Sequence, residues 1–265
     1  MHLLIAIRTA VICTAAAVLL SCASSPTGRQ QVLLFSNQDM SQLGARSFEE
    51  IKQQENINQD PATNRYVQCV TQAITSRLGG SQPGQWEVVV FESEQVNAFA
   101  LPGGKIGVYT GLLNVATTQD QLATVIGHEI GHVLAQHSNE RLSRSQLANV
   151  GLQISSLAIS GTQYHDLAMA GLGLGVQYGV LMPYGRAQES ESDIIGLHLM
   201  AEAGFNPNES ITLWQNMAAA SGRGQPPEIL STHPSHASRI SDLKAEIGRL
   251  ASNSAPRPNC QRPAN

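Results

Sequence analysis

The chain has 265 residues, of which 42% are hydrophobic and 14% are charged, and its formal net charge is −4. This composition predicts one sizeable folded domain rather than a disordered chain. The small negative charge, without a basic patch or a known RNA- or DNA-binding motif, argues against nucleic acid as a partner.

The N-terminal segment predicts a signal peptide. After Arg8, an apolar run of 12 residues is too short to span a bilayer comfortably. The run ends in Leu-Leu-Ser-Cys22, which resembles the lipobox of bacterial lipoproteins. We therefore expect residues 1–21 to be removed and Cys22 to carry a lipid anchor in a bacterial periplasm. Among lipoproteins, a residue other than Asp after that cysteine, here Ala23, indicates anchoring in the outer membrane. An ordinary signal peptide with a chance cysteine is the alternative.

Two more cysteines, Cys69 and Cys260, remain in the expected mature chain. Thiols in an oxidising compartment commonly pair, so one hypothesis is a disulfide that ties the C-terminal tail to an early helix. The alternative is two unpaired thiols.

The predicted elements suggest helices on both sides of a small sheet. In chain order they are a linker at 22–35, a polar helix from 36 to about 56, a helix after Asp60-Pro61 that ends at Gly79-Gly80, a strand at 85–91, two strands around the Pro-Gly-Gly turn within 96–113, a helix from Thr118 to about His137, helices near 186–203, 207–220 and 236–250, and an irregular tail at 251–265. This order predicts an α+β fold with one domain over 36–250. Residues 145–185 are predicted to form packed helices, with a membrane-inserted segment or a lid at 167–184 as the alternatives.

The helix that begins at Thr118 contains His128-Glu129-Ile130-Gly131-His132, which matches the pattern H-E-x-x-H. Residues four apart lie on one helix face, about 40° apart in projection, so both imidazoles can bind one zinc ion. Glu129 lies beside that face, where a carboxylate can act as a general base. The alternative is a histidine pair and a glutamate on a solvated helix face.

A catalytic zinc usually has three protein ligands, so one more must be found. His137 lies about 900° of helix rotation from His128, which is half a turn off the face, and we expect it to be a polar residue at the helix end. Glu189 and Asp193 share a predicted helix face, where Glu189 can bind the metal and Asp193 can fix the tautomer of a ligating histidine. Glu191 lies roughly 200° from Glu189, so both cannot face the metal. A solvated acidic stretch is the alternative.

Four motifs occur in this order along the chain: NAFALPGG, VIGHEIGHVLAQH, ESESDIIG and THPSHASRI. Together they resemble metallopeptidase family forty-eight, the CAAX prenyl protease and HtpX-like zinc peptidases, and are most similar to its short periplasmic lipoprotein members. The resemblance covers about 36–250. It implies a zincin-like (gluzincin) fold that is mostly helical, with a small mixed sheet whose edge strand lines the cleft, and one Zn²⁺ per chain.

The resemblance also assigns roles to residues of the motifs. It implies that three residues bind zinc: His128, His132 and Glu189. It also implies that Glu129 is the general base and that Asp193 lies behind the zinc ligands. Where the family usually has Ala before that aspartate, this chain has Ser192.

Further residues are candidates for binding substrate. The resemblance implies that the strand from Lys105 to Thr110 is an edge strand that binds an extended peptide, through Lys105, Ile106, Gly107 and Val108. Asn97 is a candidate to hold a substrate or strand backbone, with a structural role as the alternative.

The last motif supplies a further candidate for the chemistry. His233 is a candidate donor to a developing oxyanion, with a helix-capping loop histidine as the alternative. Arg186 and Arg239 are candidates for ion pairs with the acidic site.

These features predict a zinc-dependent endopeptidase that is lipid-anchored in the periplasm and cleaves unfolded or misassembled envelope proteins. The alternative is a non-proteolytic zinc-binding chaperone or scaffold lipoprotein. Glu129 counts against that alternative, because a structural zinc site needs no general base.

Overall fold

The computed structural model describes residues 22–79, 86–159, 182–221, 229, 233, 238–250 and 255–263. The expected signal peptide at 1–21 lies outside the described residues, and so does 160–181, which holds most of the expected lid. The chain divides into two compact units, one formed by Met1–Ser36 with Gln136–Met182 and the other by Asn37–Ala135 with Pro183–Asn265.

Most helices and strands follow the predicted order with changed bounds, but the two strands within 22–32 and the short helix at 110–113 were not predicted. They are β1 (Cys22–Ser24), β2 (Gln30–Val32), α1 (Asn37–Gln54), α2 (Pro61–Thr75), β3 (Glu87–Phe91), β4 (Ala98–Leu101), β5 (Lys105–Tyr109), α3 (Thr110–Leu113), α4 (Gln119–Leu134), α5 (His137–Ile159), α6 (Met182–Glu202), α7 (Glu209–Ser221) and α8 (Arg239–Ile247). Among the described residues, no helix combines the length and the apolar character needed to cross a membrane.

The first unit begins with a hairpin in which β1 and β2 pair antiparallel. The linker expected at 22–35 is therefore wrong over this stretch, because strands of three residues are too short to show a period-two pattern. Arg29 donates two hydrogen bonds of 2.7 Å to the completely buried carboxylate of Glu140 in α5. This pair ties the hairpin to the start of that helix.

The second unit is built on a three-stranded mixed sheet with the order β3-β5-β4. The central strand β5 runs parallel to β3 and antiparallel to β4. The turn between β4 and β5 contains Gly103 and Gly104 at φ values of 87° and 74°, which glycine adopts readily. Strand β4 is thus an edge of the sheet.

The expectation that the strand from Lys105 is the edge strand is wrong. The turn folds β4 back along the outer side of β5, so the backbone of β5 is hydrogen-bonded on both sides. The fold class is confirmed: the chain is mostly helical, with a small mixed sheet and an edge strand near the buried helix α4.

Helices α2 and α4 are capped as the sequence predicts. Asp60 accepts a hydrogen bond of 2.8 Å from the backbone of Thr63, with Pro61 in the first turn. Thr118 caps α4 through Gln121. The largest apolar core of the second unit includes residues of α2, α4 and the sheet, among them Val70, Ile106, Leu122 and Ile126.

Residues 255–263, the described part of the C-terminal tail, form no helix or strand but are fixed in place. A disulfide joins Cys69 to Cys260, so the thiols are paired and the tail is tied to α2 as hypothesised. The side chain of Gln119 accepts from the backbone of Cys260 and donates to that of Pro258, each at 2.8 Å. The tail therefore contacts the first turn of α4.

Candidate metal centre

Helix α4 brings polar side chains into the protein interior. From Asp120 to His132 every residue of the helix is buried. A helix that is buried on all sides belongs to the core, where polar groups need partners. His128, Glu129 and His132 are therefore expected to be satisfied by one another, by neighbouring elements or by a ligand.

The structure places four buried donor groups around one point. They are His128, His132, Glu189 and His233, whose candidate ligand atoms all lie within 4.8 Å of one another. The Nε2 atoms of the two helix histidines are 3.0 Å apart. Two carboxylate oxygens of Glu189 lie 3.3 and 3.4 Å from these nitrogens.

These spacings fit a tetrahedral metal ion. Ligand atoms about 2.0–2.1 Å from a tetrahedral zinc lie about 3.3 Å from one another. Imidazole nitrogens with one carboxylate are also a common zinc ligand set. His128, His132 and Glu189 thus have the chemistry and spacing to hold the metal, as expected from the sequence.

Asp193 contacts one of the donors from the side away from the cluster. Its Oδ1 is 3.0 Å from Nδ1 of His128. An ionised carboxylate only accepts hydrogen bonds, so this contact places the proton of neutral His128 on Nδ1. The Nε2 lone pair is then free for a metal.

In the metal-free site, neighbouring groups favour the charged forms of His128 and Glu189. Burial alone would lower the pKa of His128, but hydrogen bonds to Asp193 and Glu189 outweigh it and raise the pKa to about 9. Burial would raise the pKa of Glu189, but its hydrogen bonds with His128 and His233 hold it well below the usual range. The donors thus stabilise one another by opposite charge when no metal is bound.

Glu129 is placed to exchange a proton beside the donor cluster. Its Oε2 accepts a hydrogen bond of 3.2 Å from the backbone of Ala100 in the edge strand β4. Its Oε1 is buried without a hydrogen-bond partner among the described residues. One oxygen is thus anchored by the sheet, while the other is available to a group bound at the cluster.

His233 lies closer to the donors than an oxyanion donor requires. Its Nδ1 is 3.3 Å from Nε2 of His128 and 3.0 Å from a carboxylate oxygen of Glu189. Its Nε2 is 3.4 Å from Oε1 of Glu129. His233 can therefore act as a fourth donor, and a tetrahedral ion held by all four groups would have no open position.

His137 is not part of this group. Helix α4 ends at Leu134, and α5 begins at His137 after Gln136, which has a φ of 53°. His128 and His137 therefore lie on different helices, and a rotation counted along one helix does not relate them. The expected polar residue at the end of a helix is instead a completely buried first residue of the next one.

Three of the four residues predicted to bind substrate on β5 are buried, and the fourth forms an ion pair. Ile106 and Val108 are completely buried, Gly107 is buried, and their backbones pair within the sheet. The ammonium of Lys105 forms an ion pair with Glu87 at 2.8 Å. These assignments are wrong because they depended on β5 being an edge.

Asn97 has a local structural contact. Its side chain accepts a hydrogen bond of 2.9 Å from the backbone of Ala98, and its carbonyl accepts from Tyr109. These contacts extend the pairing of β4 with β5, and the role of Asn97 in binding substrate stays a prediction.

Two further features of the site are an ion pair made by one of the two candidate arginines and a close contact between helices that was not predicted. Arg239 holds Asp193 and stacks on Trp214, whereas Arg186 is exposed. Gly127 in α4 and Gly196 in α6 allow the two helix backbones to meet beside the ligands. Only the spacing of these glycines from His128 and Asp193 could have suggested the second feature.

A buried H-E-x-x-H helix, a downstream glutamate and an adjacent edge strand define the site of a metallopeptidase. The chain belongs to Peptidase family M48, because the sequence model of that family matches residues 61–247. The resemblance drawn from the four motifs and the metallopeptidase class are therefore confirmed.

Several relatives are metalloendopeptidases or proteases by name. Mitochondrial metalloendopeptidase OMA1 of Schizosaccharomyces pombe is 38% identical over 185 residues, which cover 69% of this chain and 52% of that protein. The bovine mitochondrial OMA1 is 33% identical over 83% of this chain and 45% of that protein. The β-barrel assembly-enhancing protease of Escherichia coli is 27% identical over 79% of this chain and 44% of that protein. The chain thus spans about half the length of these relatives.

The expected location in a bacterial periplasm is contradicted by these comparisons. Relatives from yeasts, a plant and vertebrates, at 32% to 39% identity, are named as mitochondrial proteins. A short apolar run after one arginine does not specify a compartment by itself, which explains the error. Lipid attachment at Cys22 stays a prediction, and mass spectrometry of the mature N-terminus tests it.

Proposed function

We propose that this chain is a zinc-dependent endopeptidase. The observation that carries the proposal is the buried cluster of His128, His132 and Glu189 with Glu129 beside it. Three donors at tetrahedral spacing suit a catalytic metal, and Oε1 of Glu129, which makes no hydrogen bond to the described residues, suits a general base.

The roles of the residues follow from their contacts. Bound zinc would polarise a substrate carbonyl and lower the pKa of a water molecule from about 15.7 towards 7. Glu129 takes the proton of the attacking water at Oε1, while the hydrogen bond from Ala100 holds its other oxygen. Glu129 then delivers a proton to the leaving amine.

The edge strand supports an extended polypeptide as the substrate. Strand β4 has no partner on its outer side among the described strands, and the N–H of Ala100 on it points to Glu129. An unfolded chain can add to such an edge through backbone hydrogen bonds, and its peptide bonds then pass the general base. A folded protein seldom offers a free strand of this kind.

Unfolded or misassembled proteins are therefore the proposed substrate class, and quality control is the proposed role. The name of the Escherichia coli relative, a protease that enhances β-barrel assembly, supports this role. A non-proteolytic zinc-binding chaperone is a second candidate, because His233 can supply a fourth donor and close the coordination shell.

The test compares casein cleavage by the purified protein with cleavage by Glu129→Gln, after zinc analysis of both. We expect the variant to keep one zinc and to lose nearly all activity, since the amide cannot accept the proton. Glu50→Gln, an exposed change on α1, is the matched control and should cleave normally. Equal cleavage by both zinc-loaded proteins would exclude the proposed base, and no cleavage by either would favour the chaperone.

A further inference from the structure

Arg239 is a buried cation beside the donor cluster. Only 2% of its surface is exposed, although arginine is almost never buried without a partner. Its Nε and Nη2 donate hydrogen bonds of 2.5 and 2.7 Å to the two carboxylate oxygens of Asp193. This two-point contact fixes both the position and the plane of that carboxylate.

The fixed carboxylate of Asp193 in turn orients His128, a donor of the proposed metal site. The oxygen that accepts from Nη2 of Arg239 also lies 3.0 Å from Nδ1 of His128. Nη2 itself is 3.2 Å from the same nitrogen. A carboxylate free to rotate would hold the imidazole less firmly, so the orientation of His128 depends on Arg239 through Asp193.

The third nitrogen of Arg239 faces a second ligand. Nη1 is buried and makes no hydrogen bond to the described residues. Oε2 of Glu189 lies 3.6 Å from it, within ion-pair range. One guanidinium thus neutralises Asp193 and Glu189 together, which limits the cost of burying two carboxylates at one site.

The indole ring of Trp214 in α7 stacks against the face of the Arg239 guanidinium. The guanidinium carbon is 3.7 Å from the centroid of the indole ring, and the tryptophan is 91% buried. A stacked aromatic face favours the planar guanidinium over a lysine ammonium, which lacks both the plane and the two-point geometry.

We propose that Arg239, stacked on Trp214, is a positioning residue that sets the geometry of the metal ligands His128 and Glu189. It reaches His128 through Asp193 and faces Glu189 directly. The inference rests on the proposed metal site, but it concerns metal affinity, which can be measured whether or not the protein cleaves peptides.

The test measures zinc affinity by competition with a chelator for folded Arg239→Gln and Arg239→Lys. We expect affinity to fall about 10- to 100-fold in both, because lysine keeps the charge but not the two-point contact. Arg249→Gln, at a largely exposed arginine just after α8, is the matched control and should bind zinc normally. Unchanged affinity in both Arg239 variants would overturn the proposal.

Two further measurements separate positioning from a general loss of stability. Guanidinium ion added to Arg239→Ala should restore part of the zinc affinity, and the loss in Arg239→Ala with Asp193→Ala should be smaller than the sum of the single losses. Additive losses without rescue would show that Arg239 does not act through Asp193. If all variants bind zinc as expected but the wild type cleaves nothing, the proposed peptidase function fails while this inference stands.

Discussion

Gly127 of α4 and Gly196 of α6 lie in backbone contact next to His128, one of the four donors of the candidate metal site. A Cβ atom added to Gly196 would lie 2.6 Å from the backbone nitrogen of His128 and 2.7 Å from the carbonyl carbon of Gly127. One turn further along α4, a Cβ atom added to Gly131 would lie 3.0 Å from the carbonyl oxygen of Ser192 in α6. This close crossing brings Glu189 within reach of both helix histidines.

Gly196→Ala should therefore damage stability and metal binding together. The new methyl group meets backbone atoms, which cannot turn aside as a side chain can, so the helices must separate. We expect a loss of about 1–3 kcal/mol in the free energy of unfolding and weaker zinc binding. Chemical denaturation and chelator competition measure the two effects.

Gly151→Ala is the control for this substitution. Gly151 lies in α5, where an added Cβ would have no atom within 4 Å. Helix propensity then favours alanine by up to about 1 kcal/mol. A Gly196→Ala protein as stable as Gly151→Ala would show that the helices do not need this contact.

Much of the site could be predicted because its signals are local. The H-E-x-x-H spacing and the four-residue step from Glu189 to Asp193 each depend on one helix only, and the structure places these residues together. The error at His137 arose because the end of α4 is set by a non-glycine residue with positive φ, Gln136. Propensity does not mark such a position.

The strand order could not be predicted for a different reason. The sequence indicates two strands around a Pro-Gly-Gly turn, but whether β3 joins β4 or β5 depends on tertiary packing. The structure pairs β3 with β5 in parallel, which moves the edge to β4. The sequence indicated Arg239 as one of two candidates for an ion pair with the acidic site, but not its partners Asp193 and Trp214, which lie 46 and 25 positions earlier.

Glu189→Ala should abolish stoichiometric zinc binding, because it removes the charged donor whose two oxygens lie 3.3 and 3.4 Å from Nε2 of the two helix histidines. His233→Ala should keep one zinc per chain, since that carboxylate and both helix histidines are intact. Glu202→Ala, an exposed change at the end of the same helix α6, is the matched control. Elemental analysis after gel filtration measures the stoichiometry, and one retained zinc in Glu189→Ala would refute its assignment as a ligand.

The Cys69–Cys260 disulfide should contribute strongly to stability. It closes a loop with a sequence separation of 191, for which chain entropy alone predicts about 5 kcal/mol as an upper estimate. We expect Cys260→Ser to lower the melting temperature by several degrees or more. Reductant should lower the melting temperature of the wild type and leave that of Cys260→Ser unchanged; an equal response in both would show that the disulfide does not stabilise the fold.

The metal-free and zinc-bound proteins should respond oppositely to pH. Hydrogen bonds to Asp193 and Glu189 overcome the effect of burial and raise the pKa of His128 from 6.5 to about 9. Because the folded pKa is the higher one, this group stabilises the metal-free protein fully below about pH 6.5, and the contribution is lost as pH rises through about 9. Zinc needs the unprotonated imidazole, so its affinity should rise over the same interval, by at most about tenfold per pH unit for one displaced proton.

Melting temperatures of both forms between pH 6 and 9.5 measure this divergence, and Asp193→Asn, which removes the charge that holds the proton, should reduce it. Parallel pH profiles for the two forms of the wild type would contradict the assignment of His128 as the titrating ligand.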